Sequence, residues 1–414
     1  MNGFLLKLGK AKGVLEQDGF LVGMKNISRK LLQALRMILK WPKGEVIFIS
    51  GLTGAVAMYR TDYIAEELNE YGIKADVLFG EDPFLVSKVK KFKVVVLNRV
   101  TWNESIKKIV EQSKELNQTI IYDTDDLTFD VKLFKQSDMY INFNDAQKEQ
   151  YEKTTGLEIL ESEQLGAATT TTSFLADKLG RFNKPVFVVR NKLSKRELRW
   201  TREARKIYLR RANRDEDVRI GFFSGSISHN KDFATIIPAL EIVLTRYDNV
   251  KLYLVGYLDV LSCSSGNCKE SEENDIGRFY EKFKNQIVLL PFVPRRKHYQ
   301  NIAEVDINLS PLEMTDFCQS KSELKFFEAG IIGIPTVAVE NQTFLEAISH
   351  GKDGLLSKDI NAWVNNMERL IDDRELRITI GEKARQKVLK KYLTDSGDNV
   401  EYYEFLKKAI NEAQ

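Results

Sequence analysis

The chain has 414 residues, enough for two domains that each bury a core of their own. With 43% apolar and 29% charged residues it has the composition of a soluble globular protein, and a net charge of +3 is too small for a dedicated nucleic-acid binder. No apolar run approaches the roughly 18–20 residues of a membrane span, and the N-terminus lacks the apolar core and cleavage site of a signal peptide.

Residues 1–44 hold nine Lys/Arg against two Asp/Glu, a local charge of +7. Within them, residues 26–41 place Leu31, Leu35 and Ile38 on one helical face and Arg29, Lys30, Arg36 and Lys40 elsewhere. Two readings fit: a basic amphipathic helix lying on an anionic membrane, or an N-terminal helix packed on the fold with its basic side solvated.

From Glu45 a strand–helix rhythm begins, with EVIFIS, KADVLF, KVVVLNR and TIIYD as strands and helices through 63–68 and 103–116. Such alternation predicts a parallel sheet, whose ligands sit beyond the carboxyl ends of the strands. Gly51, Gly54 and Arg60 after the first strand are therefore candidates for a cleft. Asp123, Asp125 and Asp126 cluster at the end of TIIYD. They suit a divalent metal, a general base for an acceptor hydroxyl, or caps on the next turn. Residues 138–143 read as a further strand, and 167–179 as a strand–helix step. Pro185–Arg190 lead into Asn191, a charged helix spans 194–212, and a hinge is expected at 213–217.

The pattern restarts at Val218 with VRIGFFSG, a helix over 232–244 and the strand KLYLVG. Between strand and helix, Gly225 lets backbone N–H groups approach an anion, with Ser226 and His229 beside it and Lys231 at the helix start. Cys263 and Cys268 flank a Ser/Gly/Asn turn with no nearby ligand to complete a zinc site, so they read as a loop. Three cysteines in all make no disulfide framework, which favours a reducing cytoplasm. Strands QIVLLPFV and VDINLSPL follow, with a helix near 297–303 between them.

The stretch QSKSELKFFEAGIIGIPTVAVE, residues 319–340, reads as a short helix, a Gly333/Pro335 turn and the buried strand TVAV. Ser322 is the expected N-cap, and Leu324, Phe327 and Ile331 form the core face. Lys321, Lys325 and Glu328 share another face, suited to a diphosphate and to sugar hydroxyls. An ordinary helix with a solvated Lys/Glu face would look the same. The last helices are expected over 361–373, 375–392 and 401–412.

SKSELKFFEAGIIGIPTVAV resembles the donor-site signature of the family 4 (group 1) glycosyltransferases of GT-B fold, and IGFFSGSISHNKDF is similar to their polysaccharide rhamnosyltransferase-like branch. The resemblance implies an α/β chain of two Rossmann-like domains facing across a cleft. It implies a basic helical segment at 1–44, an acceptor-side domain at 45–213, a nucleotide-sugar domain at 214–392, and a helix at 393–414 returning to the first domain. Glu328 would hold the nucleotide ribose, with Ser320, Lys321 and Ser322 just ahead of it at the diphosphate and sugar. Lys231 would face the diphosphate, and PFV and SPL would enclose the base. The family has glutamate, arginine and glycine where this chain has Ser320, Ser226 and Lys192.

The expected activity is transfer of a hexosyl or deoxyhexosyl group from a UDP- or dTDP-sugar to a hydroxyl of a growing cell-surface glycan, a lipid-linked acceptor or a protein. Lys231, Lys325, Asp125 and Asp126 are the expected catalytic groups, with Gly51, Gly54, Arg60 and Asp123 on the acceptor side. The nucleotide sugar is then a substrate and no cofactor is expected. Metal ranks last, because cationic side chains and helix dipoles neutralise the leaving diphosphate in such folds. The expected location is the cytoplasm, with the inner face of the plasma membrane as candidate contact. Ser320 and Ser226 favour an alternative, a catalytically inactive GT-B partner protein. A nicotinamide dehydrogenase is excluded, since neither half has a GxGxxG after a strand.

Overall fold

The computed structural model describes residues 39–135, 138–141, 143–152, 154–211, 217–225, 229–256, 258 and 275–413. The amphipathic helix of 26–41 up to residue 38, Ser226, Cys263, Cys268 and most of the hinge at 213–217 lie outside them.

Two six-stranded parallel sheets form two lobes. The first contains β1 (Val46–Ser50), β2 (Ala75–Phe79), β3 (Val94–Asn98), β4 (Thr119–Thr124), β5 (Leu165–Thr170) and β6 (Val186–Val188), in the order β2-β1-β3-β4-β5-β6. The second contains β7 (Val218–Ser224), β8 (Val250–Gly256), β9 (Ile287–Leu290), β10 (Ile307–Ser310), β11 (Thr336–Val339) and β12 (Leu355–Ser357), in the order β12-β11-β10-β7-β8-β9. Central strands such as VIFIS and VVVLN are buried along their whole length, because helices cover both faces of a parallel sheet. In-register pairing of β1 with β3, from Val46↔Val94 to Ser50↔Asn98, brings Ser50, Asn98 and Asp123 to one level at the carboxyl end. Among the described residues no helix is long and apolar enough to cross a membrane.

The helix Val400–Glu412 buries Tyr402, Tyr403, Leu406 and Ile410 against Val46, Phe48, Val94 and Val96 of the first sheet. Its approach is fixed by a buried polar knot. Lys192 Nζ donates to Glu67 at 2.7 Å and pairs with Asp398, while Asn399 Nδ2 at 2.7 Å and the Tyr403 hydroxyl also donate to Glu67. Lys192, where the resembled family has glycine, is thus the cation of this knot.

Three expectations need correction. Residues 138–143 do not extend: Asp138–Ile141 is a helical turn, and Tyr140 and Phe143 gather with Phe134 and Tyr151 into one aromatic cluster, Phe134 stacking on Tyr151 at 4.1 Å. Side chains drawn to one cluster give no alternating strand faces. The helix expected over 232–244 is two, Asn230–Ala234 and Ile237–Arg246, because Pro238 suits only a first turn. Finally, the chain changes lobes earlier than expected. Helix Lys195–Arg211 already packs on the second lobe, with Arg205 donating to Ile332 O at 2.7 Å and Arg211 pairing with Asp306 at 2.9 Å. The crossing therefore lies at Asn191–Ser194, ahead of that helix.

Replacing Lys192 by Ala would leave the Glu67 carboxylate buried without its cation, a defect that costs about 3–5 kcal/mol. A denaturant melt followed by tryptophan fluorescence should show the midpoint fall accordingly; an unchanged midpoint would mean the neighbouring amide and hydroxyl suffice.

Candidate functional site

The helix after β1 is not a regular one. A turn at Ala55–Ala57 runs into a π-helical segment, Met58–Asp62, before the α-helix Tyr63–Glu70. A π-turn re-aims consecutive side chains, and here it sends neighbours in opposite directions. Arg60 turns inward, 0% exposed, and meets the equally buried Asp123 through Nε at 3.2 Å and Nη2 at 2.5 Å. Asn98 Nδ2 at 2.8 Å and Thr169 Oγ1 at 2.6 Å complete the donors to that carboxylate, and Arg60 Nη1 donates to Val189 O and Asn191 Oδ1. Arg60 and Asp123 are therefore corrected from cleft residues to an internal anchor: every polar atom that would meet a substrate already has a protein partner. Gly51 and Gly54 do lie exposed in the loop above. A Cβ on Gly51 would stand 2.1 Å from Arg99 O, and Gly54 has φ +82°, so both positions demand glycine.

Tyr59 turns outward to the second lobe, where its hydroxyl donates to Glu328 Oε1 at 2.8 Å. Glu328 sits on helix Leu324–Gly330, and two residues of helix Arg295–Ile302 meet it: Arg295 Nη2 at 2.5 Å from Oε1 and His298 Nε2 at 3.2 Å from Oε2. Burial opposes ionisation of this carboxyl, but Arg295 and His298 outweigh it and hold Glu328 down at about 2. Arg295 also donates to Glu197 Oε1 at 2.8 Å and to the Tyr299 hydroxyl at 2.9 Å. Glu197 goes the other way, its carboxyl pushed up by burial and by Glu328, since two carboxylates share one guanidinium.

Next to it stands a cationic group. Lys325 Nζ lies 4.9 Å from the Phe222 ring centroid, and burial lowers its pKa against the pull of Asp232 and Glu328. His229 Nδ1 is 2.8 Å from Asp232 Oδ2. The Lys325 charge first, and burial second, push His229 down to about 4. At neutral pH the imidazole is thus neutral, with Nδ1–H given to the Asp232 carboxylate and Nε2 left as an acceptor. Cys318 and the Glu313 N–H also point at Asp232 Oδ1, at 3.5 and 2.9 Å. Asp232, Glu313 and Cys318 bring ligand atoms within 4.8 Å of one another, and burial, with the Asp232 charge, pushes the Cys318 thiol up to about 12.

The remaining expected residues are spread over both sides of the cleft. Lys321 reaches across it to Asp126 at 3.4 Å. Burial opposes ionisation of Asp126, yet Lys321 and Arg99 prevail and lower its pKa, while the same carboxylate caps the Leu127 N–H at 2.9 Å. Asp125 pairs with Arg99 Nη1 at 3.2 Å. A carboxylate held this way is a poor general base, so the turn-cap reading accounts best for Asp126. Ser322 is not the N-cap; Glu323 holds that position, and Ser322 Oγ accepts from Asn191 Nδ2 at 3.2 Å. Ser320 is buried, its hydroxyl spent on Phe317 O at 2.6 Å, and so does not face a donor. Lys231 and Gly225 are exposed at the end of β7. Tyr59, Arg295, His298, Glu197, Arg99 and Asp232 were not singled out by sequence. Arg295, His298 and Tyr299 at i, i+3 and i+4 on one helix carried a usable signal, as did Tyr59 beside Arg60.

Residues 218–373 match the family model described as glycosyl transferases group 1. The capsular polysaccharide biosynthesis glycosyltransferase CapM of Staphylococcus aureus is 23% identical over 175 residues, which are 41% of this chain and 41% of that protein. The match thus spans about two fifths of that curated relative. Among solved structures, HepE of Anabaena in complex with UDP superposes with a TM-score of 0.58 at 14% identity, over 88% of this chain and 100% of that one. Sucrose-phosphate synthase of Thermosynechococcus elongatus gives 0.58 at 15%, over 89% and 100%. The fold is GT-B, and residues 218–373 of its second lobe are the part that resembles the group 1 glycosyltransferases.

His229 binds a proton more readily once unfolded, where its pKa returns to about 6.5, than in the fold, where it is about 4. Its contribution therefore makes stability fall as pH drops from 6.5 towards 4 and is constant above that window. Melting wild type and His229→Gln across pH 4–8 should show the wild type losing more over that interval; parallel curves would contradict the assignment.

Proposed function

We propose that this chain is a glycosyltransferase that moves a sugar from a UDP- or dTDP-linked donor to a hydroxyl of a growing cell-surface glycan or lipid-linked acceptor. The observation that carries it is one helix, Leu324–Gly330, inside the part that resembles the group 1 glycosyltransferases, and it brings an ionised Glu328 and the ammonium of Lys325 to the same cleft. HepE has been crystallised with UDP and with UDP and glucose, and CapM is named for capsular polysaccharide biosynthesis; both support this choice of donor and acceptor class. A deoxyhexose donor, as in the rhamnosyltransferase-like branch, is part of the proposal.

In this reading Glu328 takes a ribose hydroxyl. Oε1 already accepts from Tyr59 and Arg295, whereas Oε2 accepts only from His298 and retains a lone pair. Lys325, with Lys321 and Lys231 nearby in the fold, offsets the charge that grows on the leaving diphosphate, and Gly225 admits it close to backbone N–H groups. Asp125 and Asp126, held by Arg99 and Lys321, shape the acceptor side without serving as its base, and Gly51 and Gly54 form the loop over which the acceptor enters. Parting of Asp126 from Lys321 frees that lysine for the donor. The nucleotide sugar is a substrate, and cationic side chains rather than a metal neutralise the diphosphate.

The reading of a catalytically inactive partner protein is favoured by one observation, the buried and internally bonded Ser320 where the family has glutamate. Product formation separates the two. Lys325→Ala should lower kcat/KM about 100-fold, the scale of removing one donor at a developing charge. Calorimetry with UDP and a turnover assay with UDP- and dTDP-sugars measure both arms; a variant as fast as wild type removes the role of Lys325, and a wild type that binds UDP without turnover supports the partner protein.

Peripheral contact with anionic lipid through residues 26–41 belongs to the same proposal. Where the described chain begins, Leu39, Trp41 and Phe84 are 74, 60 and 49% exposed, and Lys88 Nζ stands 5.7 Å from the Trp41 ring and 5.9 Å from Phe84. Lys88 itself is buried and paired with Asp82, so it is the exposed apolar side chains beside the basic segment that suit a headgroup boundary. Deleting residues 1–41 should abolish co-sedimentation with phosphatidylglycerol vesicles; equal pelleting of both forms would mean the segment serves only the fold.

A further inference from the structure

We propose that Tyr59, carried by the first lobe, is a positioning residue of the nucleotide site on the second: its hydroxyl orients the Glu328 carboxylate, so the donor site is complete only while the two lobes are apposed. This rests on Glu328 being the ribose ligand.

The geometry is directional. A tyrosine hydroxyl has one proton, and that proton goes to Glu328 Oε1 at 2.8 Å. Its lone pairs accept from Arg295 Nη2, which also touches the carboxylate directly. Arg295 cannot follow a moving carboxylate freely, because Glu197 and the Tyr299 hydroxyl hold it from behind and its guanidinium lies 5.1 Å over the Tyr59 ring. The tyrosine ring is itself fixed edge-on by Tyr63 at 5.3 Å and Phe327 at 6.1 Å. One residue along, the buried Arg60–Asp123 anchor ties the π-turn to the first sheet. Tyr59 is thus presented by a rigid part of one lobe to a side chain of the other.

When the lobes part, Tyr59 leaves with the first. Glu328 then keeps Arg295 and His298, both from the second lobe, and loses one of the two donors to Oε1. The lone pair of Oε2 that a ribose hydroxyl needs is aimed only as well as the carboxylate plane is fixed. Nucleotide affinity and lobe apposition become linked through one hydroxyl, each favouring the other.

The experiment uses the full chain. Tyr59→Phe keeps the ring and its packing and removes only the hydroxyl. UDP affinity by calorimetry and donor KM and kcat are measured for wild type, Tyr59→Phe, Glu328→Gln and the double variant. The expected result is a UDP affinity about tenfold weaker in Tyr59→Phe, the scale of one hydrogen bond to a charged acceptor, with donor KM raised by the same factor and kcat within twofold. The double variant should bind no more weakly than Glu328→Gln alone, because Tyr59 acts through that carboxylate. Unchanged affinity in Tyr59→Phe beside a weakened Glu328→Gln overturns the positioning role and leaves the ribose assignment standing. Additive losses in the double variant, or a lower Tm with unchanged KM, also overturn it. Wild-type affinity in both single variants removes the ribose assignment itself.

Discussion

Two buried carboxylates competing for one guanidinium organise this molecule. Arg295 is bonded to Glu197, on the helix that enters the second lobe, and to Glu328, on the helix that follows β10. An unpaired buried charge is costly, so the strength of the arrangement lies in how completely the cation is surrounded. Tyr59 and Tyr299 add hydroxyls on either side, and the outcome is asymmetric: Glu328 is held ionised while Glu197 is pushed towards neutrality. The lobe interface and the candidate nucleotide site therefore share the same few side chains.

The rest of the interface repeats this economy. Lys321 meets Asp126, Lys178 meets Asp316, and Arg190 meets both Glu323 and Glu346, each pair joining one lobe to the other. Most are partly exposed and contribute little to stability singly. Their value is that they can exchange partners. A partly exposed lysine or arginine can trade one carboxylate for another at little cost, so these pairs join the lobes without locking them.

Much of the fold was legible because parallel sheets write themselves plainly. VIFIS, VVVLN and VRIGFFS are too apolar and β-branched for anything else, and the helices between them carry their caps in sequence, as Asn103 and Asp359 do. The stretch from Leu127 to Leu160 was less legible, since aromatic residues gathered from several short turns mimic the alternation of a strand. At the site, Lys325 and Glu328 could be read from spacing on one helix, whereas Lys321 lies ahead of that helix rather than on its face. For Tyr59 and Arg295 the sequence offered at most a local signal, because the partners that give them a role lie far off in sequence, on the other lobe and on the linking helix. Arg60 and Asp123 were misread for a related reason: strand-end position marks a cleft only if the side chain is not consumed by its neighbours, and the π-turn that decides this leaves no mark in composition.

The chain passes between the lobes twice, and the two passages lie side by side. Leu193 bridges Leu393 in parallel, with Leu193 N donating to Tyr392 O at 2.8 Å and Thr394 N to Leu193 O at 3.2 Å. Two cords fastened along their length act as a door hinge does, resisting translation and permitting swing about a single line. Tyr59 and Glu328 stand close to that line: the ring of Phe327, 6.1 Å from Tyr59, stacks at 5.0 Å on Tyr392 of the second passage. Side chains seated so near the pin travel little when the door swings, so a swing alters the angle at which they meet more than the distance between them.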